Sequence, residues 1–266
     1  MKLIAIGLVL TTGVALIATT PAQAAAKVDP VKALKAQYVT GKGVKIATVT
    51  RVSVASDFSG TVKVAGVVQF GGRGPVASDM TSESQYDMDS FKGFDAEEYA
   101  FFESLQLPVR TITVKRTSYV ADARVADNLP IGKIWVRSPA WKVPTSEGTL
   151  IDIFEPGKLK SIIAGATSFR GGVLKGSIKP TTNERGGKVG YVLWFDAKGL
   201  VKRMTTTTTF TTNDNLRLTA SSDTRFTAWA SEVSVSAPPA YQVIDEKDVD
   251  DDIFNERLDP LSAVRQ

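Results

Sequence analysis

The chain has 266 residues, 43% of them hydrophobic and 23% charged, which is enough apolar material for a sizeable core and shows no bias toward general disorder. It contains no cysteine and no histidine, which removes disulfides, thiol nucleophiles, imidazole general bases, Cys/His zinc sites and a lipidated cysteine together. The formal charge of +4 is too small for overall basicity to argue for nucleic acid or anionic lipid.

Lys2 precedes an apolar run from Leu3 to Ala18, and Pro21-Ala22-Gln23-Ala24 follows with small residues at Ala22 and Ala24. This reads as a secretory signal peptide over residues 1–24, cleaved after Ala24. The alternative is an uncleaved N-terminal anchor, because the run approaches the roughly 18 apolar residues that span a bilayer. Cleavage would leave a product without a stable membrane anchor, secreted or associated with the cell envelope.

Residues 25–245 read as one domain. Asp29 is an expected N-cap with Pro30 at the first helical position, and Val31, Leu34 and Tyr38 fall on one face before Gly41 and Gly43. From Val44 the period becomes two: Val44, Ile46 and Thr48 begin a strand, with Val52 and Val54 continuing it after a shift of face at Arg51. Thr61 to Phe70 alternates cleanly, and Gly71-Gly72-Arg73-Gly74-Pro75 closes it, since Pro75 is unsuited to a central strand. Asp79 to Met88 is polar and fits an edge strand or a loop.

Asp95 to Leu105 has helical spacing through Tyr99, Phe102 and Leu105, and Pro108 stops it. Thr111 to Val120 reads as one strand, with Ile112, Val114 and Val120 facing away from Thr113, Lys115 and Tyr119. Ile134 to Val136 is a further strand, Leu159, Ile162 and Ile163 mark a short helix packed on the sheet, Val173 to Lys179 is a strand, and Pro180 to Lys188 a loop.

Gly190 to Thr212 is the firmest local signal, a hairpin. Tyr191, Leu193 and Phe195 alternate with Val192 and Trp194; Asp196 is suited to bond the backbone two residues on, and Gly199 to take a positive φ. Five consecutive threonines, Thr205 to Thr209, then place β-branched, partly polar residues on both faces. Leu216–Ala220, Thr224–Phe226 and Glu232–Ser236 complete the strands. The end of the chain, 246–266 with Asp245 before it, is acidic and reads as a solvated tail.

Few motifs carry chemistry. The segments at Gly171 to Ser177 and Gly186 to Val189 lack the glycine spacing and the Lys-Ser/Thr ending of a phosphate loop. Asp245 to Asp252 lacks the glycine-turned spacing of a calcium loop, so no metal site is expected. Asp95, Glu97 and Glu98 share a first helical turn, where carboxylates stabilise the helix N-terminus, and no acid pair stands out as catalytic. Tyr191, Trp194 and Phe195 suit either a binding wall or core packing.

Three stretches carry a resemblance. SYVADARVADNLPIGKIWVR at 118–137, the hairpin VLWFDAKGLVKR at 192–203, and DTRFTAWASEVSVSAPPAYQVID at 223–245 resemble, in that order, segments of secreted actinobacterial lipoproteins of the LppX/LprG and LolA-like class. The resemblance implies an α+β fold, an incomplete antiparallel β-barrel wrapped around a few helices, with an apolar cavity between them. It implies a non-enzymatic carrier or sensor of a hydrophobic, lipid-like ligand, with no cofactor. The alternating apolar residues Val62, Val64, Val68, Phe70, Ile112, Val114, Tyr191, Leu193 and Phe195 are the candidate cavity lining. The chain departs from the lipoprotein members in lacking a cysteine after the signal sequence, which precludes that lipid anchor. An envelope protein-interaction module with a filled interior is the alternative, and an extracytoplasmic hydrolase a third reading; nucleic acid is not an expected partner.

Overall fold

The structure, a computed structural model, describes residues 28–54, 58–91, 95–126, 128–145, 151–179, 188–211 and 217–249. The signal-peptide segment, the acidic residues beyond 249 and nearly all of the loop expected at Pro180–Lys188 lie outside the described residues.

Helix α1 (Pro30–Ala36) starts as its sequence dictates: the Asp29 carboxylate accepts from the backbone N–H of Val31 at 2.9 Å and Lys32 at 3.3 Å, satisfying two donors that the first turn leaves free. Strands β1 (Lys42–Val54), β2 (Phe58–Gly71) and β3 (Gly74–Tyr86) then form an antiparallel meander. β1 keeps one register through Arg51, which pairs with Thr61 and Ser221; the expected shift of face is absent, and the irregularity falls between Gly43 and Lys45. The polar stretch from Asp79 is the body of β3, a central strand between β2 and β4 rather than an edge or a loop, and Pro75 is accommodated near its start, where the β2–β3 register slips.

After α2 (Ala96–Ser104), the stretch expected as one strand is a hairpin, β4 (Val109–Val114) and β5 (Thr117–Asp122), turned by Lys115-Arg116. That turn reverses the expected faces: Ile112 pairs with Tyr119 on one side, Thr111 with Val120 on the other. α3 (Ala123–Ala126), β6 (Trp135–Pro139) and α4 (Pro156–Ala164) follow, then β7 (Ala166–Arg170) and β8 (Val173–Ile178). β9 (Val189–Phe195) and β10 (Val201–Thr211) are the expected hairpin: Asp196 Oδ1 accepts from the N–H groups of Lys198 and Leu200 at 2.9 and 2.8 Å, and Gly199 takes φ +77°. β11 (Arg217–Glu232) is one 16-residue strand where shorter pieces were expected, and β12 (Val243–Asp245) is a short final strand.

The twelve strands of the described residues belong to one sheet, in the order β12-β6-β5-β4-β3-β2-β1-β11-β10-β9-β8-β7. This corrects the expected α+β, antiparallel architecture in two respects. The chain is dominated by an open sheet, and the four described α-helices have nine residues or fewer. The sheet is also mixed, because β12 runs parallel to β6. The physical reason lies in β-branched stretches such as the valines of β2 and Thr205–Thr209 of β10, which favour extended chain, while the segments between the described strands supply only a few helical turns. The halves of the chain meet where β11 inserts between β1 and β10, pairing Ile46 with Phe226.

One apolar cluster draws side chains from seven consecutive strands, β3 to β8 in spatial order, and from α1, α4 and residues 151–154. Helices this short meet so many strands because the sheet curls around them. A smaller cluster joins Leu129, Val136 and Val249, so the packed chain continues past β12. Among the described residues, no helix is long and apolar enough to cross a membrane.

Candidate functional site

The inner face of the sheet, the one toward α1 and α4, is set by the pairing register. Val44, Ile46 and Thr48 on β1 align with Val68, Gly66 and Val64 on β2, then with Ser78, Met80 and Ser82 on β3. On the other side, Thr224 and Phe226 of β11, Met204 and Thr206 of β10, Leu193 and Tyr191 of β9, and Leu174 of β8 continue that face.

At its apolar end lies a group of rings. Phe154 stands 5.9 Å from Phe70, 5.8 Å from Phe226 and 6.0 Å from Trp229, and Phe70 stands 5.4 Å from Tyr38. Phe154 comes from neither a helix nor a strand; the chain before α4 carries Ile151, Ile153 and Phe154 into the sheet, all buried. Three directional bonds brace this region, one between the α1 and pre-α4 segments, one from β9 to α4 and one from β11 to β10. The Tyr38 hydroxyl donates to the carbonyl of Phe154, the Tyr191 hydroxyl to that of Ile162 at 2.7 Å, and Trp229 Nε1 to that of Val201 at 3.0 Å. Burial, with the nearby charge of Asp152 adding to it, pushes the Tyr38 hydroxyl well above the usual tyrosine pKa, and burial raises Tyr191, so both stay neutral donors.

Further along the strands the inner face turns to hydroxyls. Thr48 bonds Thr224 at 3.1 Å and Thr206 bonds Ser222 at 2.6 Å, all four buried. Ser78 and Thr113, cross-strand neighbours on the same face, are also buried, and their hydroxyl oxygens have no hydrogen-bond partner among the described residues. The threonine run of β10 is thus divided: Thr206 and Thr208 are buried inward, while Thr207 points to solvent. Glycines let large neighbours lie flat on this face. A Cβ at Gly176 would come within 2.3 Å of the Tyr191 hydroxyl, and one at Gly66 within 2.7 Å of Met80 Sδ.

Seven of the nine lining candidates share the inner face. Val64, Val68, Phe70, Tyr191, Leu193 and Phe195 belong to the apolar cluster, and Val62 packs against it. Ile112 and Val114 do not join them: Thr113, between them, carries the inward register with Ser78, so the two aliphatic residues face the other side. Only the β3–β4 register decides this, since alternation within β4 distinguishes two faces without naming the inward one. Sequence reasoning also missed Phe154, Phe226 and Trp229; the weak cue was the spacing of Ile151, Ile153 and Phe154 just ahead of a helix.

The cluster is closely filled. Between Pro30 and Leu34 of α1, Leu159 of α4, Gly199 to Val201 and Trp229 no space wide enough for a water molecule is left. A cleft of about 430 Å³ lies at the far ends of β1, β2, β3 and β11, with Arg51, Ser53, Thr61, Gln85, Thr219 and Ser221 among its lining residues. Among the described residues no group of three or more acidic side chains is placed to hold a metal ion.

No protein-family model matches the chain, and no curated protein matches it. Among solved structures it is similar to a LolA superfamily protein from Nitrosomonas europaea, at 8% identity and a TM-score of 0.32, over 79% of this chain and 93% of that one. It is similar also to a DUF1329 family protein from Desulfovibrio piger, at 12% identity and a TM-score of 0.27, over 78% of this chain and 95% of that one.

Proposed function

We propose that this chain is a non-enzymatic, extracytoplasmic carrier or sensor of an amphiphilic lipid, in the manner of the LppX/LprG class that its sequence resembles. The observation that carries the reading is the inner face itself: a wall of hydrocarbon and aromatic rings that grades into buried hydroxyls, under a cover of two helices of seven and nine residues and one short segment. Each methylene transferred onto such a wall contributes about 0.8 kcal/mol, so a long acyl chain needs no catalytic or charged group to be held. Hydroxyls further along the same strands suit a polar head.

No space wide enough for a water molecule stands open under α1, whereas small-molecule sites begin at roughly 300 Å³, so the ligand enters by displacing part of the cover. The absence of cysteine makes this testable on a clean background. A Cβ at Gly199 would stand 3.5 Å from that of Ala33, within the span of a disulfide, although Val28 Cγ1 lies 2.7 Å away and must be shortened. The triple variant Val28→Ala, Ala33→Cys, Gly199→Cys is expected to take up a fluorescent fatty acid when reduced and to lose most uptake when oxidised. Equal uptake in both redox forms would rule out α1 as the moving cover. Organic extraction of the purified protein followed by mass spectrometry is expected to yield a stoichiometric lipid. A clean extract with no fatty-acid uptake would instead favour the second reading, an envelope interaction module, which the filled interior supports.

A further inference from the structure

The rim of the sheet where β2 meets β3, β4 meets β5 and β6 ends has an unusual surface. Arg73 projects from the β2–β3 turn, Lys115 and Arg116 form the β4–β5 turn, and Trp141 and Lys142 follow β6, all of them exposed. Trp141 is 94% exposed, the position least expected for an indole in water. It is held at the β4–β5 turn, because the N–H of the preceding residue, Ala140, donates to the carbonyl of Arg116 at 2.8 Å. With neighbouring strands about 4.8 Å apart, the distance from β6 to β3 is roughly 14 Å, so these groups form one patch.

Among the described residues, acids on the adjoining strands and at the neighbouring strand end are engaged elsewhere. Asp79 and Asp245, on the adjoining strands, are bonded to Arg110 and Arg137, and Glu232 is paired with Lys42. The backbone supplies an independent sign. Lys115 and Arg116 both adopt positive φ, 51° and 66°, in a two-residue hairpin loop, the geometry that favours Asn-Gly and disfavours long side chains. Two cations therefore stand where the local backbone prefers neither, and strain of this kind is retained where it serves a function.

We infer that this rim docks the protein onto an anionic membrane surface, with Trp141 seated at the headgroup level and Arg73, Lys115, Arg116 and Lys142 against the lipid phosphates. An exposed indole ringed by cations has both properties an anionic bilayer interface rewards, whereas a polyanion without aromatic bases, such as heparin, has no use for the indole. The docking is independent of whether the interior carries a ligand. The small net charge of the whole chain does not oppose it, since the attraction acts within about a Debye length of the surface and reads only the local patch.

The test uses the chain from Ala25 on, the form expected after export, with phosphatidylcholine vesicles either pure or containing phosphatidylglycerol. Co-sedimentation is expected only with the anionic vesicles, weakening at high salt, with quenching of Trp141 by brominated lipid that disappears in Trp141→Phe. The decisive variant is Lys115→Asn/Arg116→Gly, which removes two charges and installs the residues this turn prefers, so its melting temperature is expected to hold or rise. Its partition onto anionic vesicles is expected to fall about thirtyfold. Failure to bind anionic vesicles at low salt would overturn the inference. Undiminished binding by the Asn-Gly variant would do the same, as would binding of heparin as tight as that of vesicles with Trp141 unquenched.

Discussion

Truncating Phe154 to alanine tests whether the segment before α4 is part of the core. The side chain is 3% exposed and meets three aromatic rings at 5.8 to 6.0 Å. Removing a buried phenyl group typically costs about 3–5 kcal/mol through lost transfer energy and residual cavity. Each aromatic pair adds about 0.5–1.5 kcal/mol, so the upper half of that range is expected, about 4 kcal/mol. For a domain of this size that corresponds to a fall in melting temperature of about 8–16 °C. Urea unfolding followed by tryptophan fluorescence reads the change directly, since Trp229 stands beside the ring. Phe154→Leu keeps most of the volume and is expected to lose less than about 1.5 kcal/mol. On the carrier reading, a saturating fatty acid at a hundred times its Kd restores about 2.7 kcal/mol to the alanine variant. A loss below about 1 kcal/mol for Phe154→Ala, or equal losses for alanine and leucine, would refute the claim that this segment plugs the sheet.

Gly66→Ala is expected to destabilise more than an exposed strand glycine would, because the added Cβ would meet the carbonyl oxygen of Asp79 at 2.0 Å on a central strand; chemical denaturation that shows a neutral effect would refute that packing. The Arg137–Asp245 pair fastens β12 to β6, and the bond to Arg137 holds the Asp245 pKa below the ordinary aspartate value of 3.8. A depressed folded pKa means that the contribution is present above 3.8 and lost as pH falls through the lowered value. The protection factors of the Val243–Asp245 amides, corrected for the intrinsic pH dependence of exchange, are therefore expected to fall selectively in acid, and Arg137→Gln to produce the same fall at neutral pH; protection insensitive to both would show that β12 is held by its backbone bonds alone.

How much was legible beforehand can be judged residue by residue. The N-cap at Asp29, the alternation from Val62 to Phe70 and the Asp196–Gly199 turn were readable because each depends on atoms within a few residues: a carboxylate beside free N–H groups, a period of two, a glycine at positive φ. The hairpin at Lys115-Arg116 was not, because neither residue type signals a turn and only the pairing of Val114 with Thr117 makes one. That hidden turn brought Tyr119 onto the face of Ile112 and concealed the cationic rim.

Taken alone, the sequence determined where strands and caps begin, that thiol and imidazole chemistry are absent, and which strand positions are apolar. The tertiary structure decided which of the two faces of each strand is inward, because alternation distinguishes two faces without naming either. It also decided that β11 joins the two halves of the chain, that Phe154 fills the curl of the sheet, and that Trp141 stands beside Arg116. Each of these is a contact between distant parts of the chain, set by strand register and by the volume the curl leaves to be filled, and neither quantity is written in any local stretch of residues.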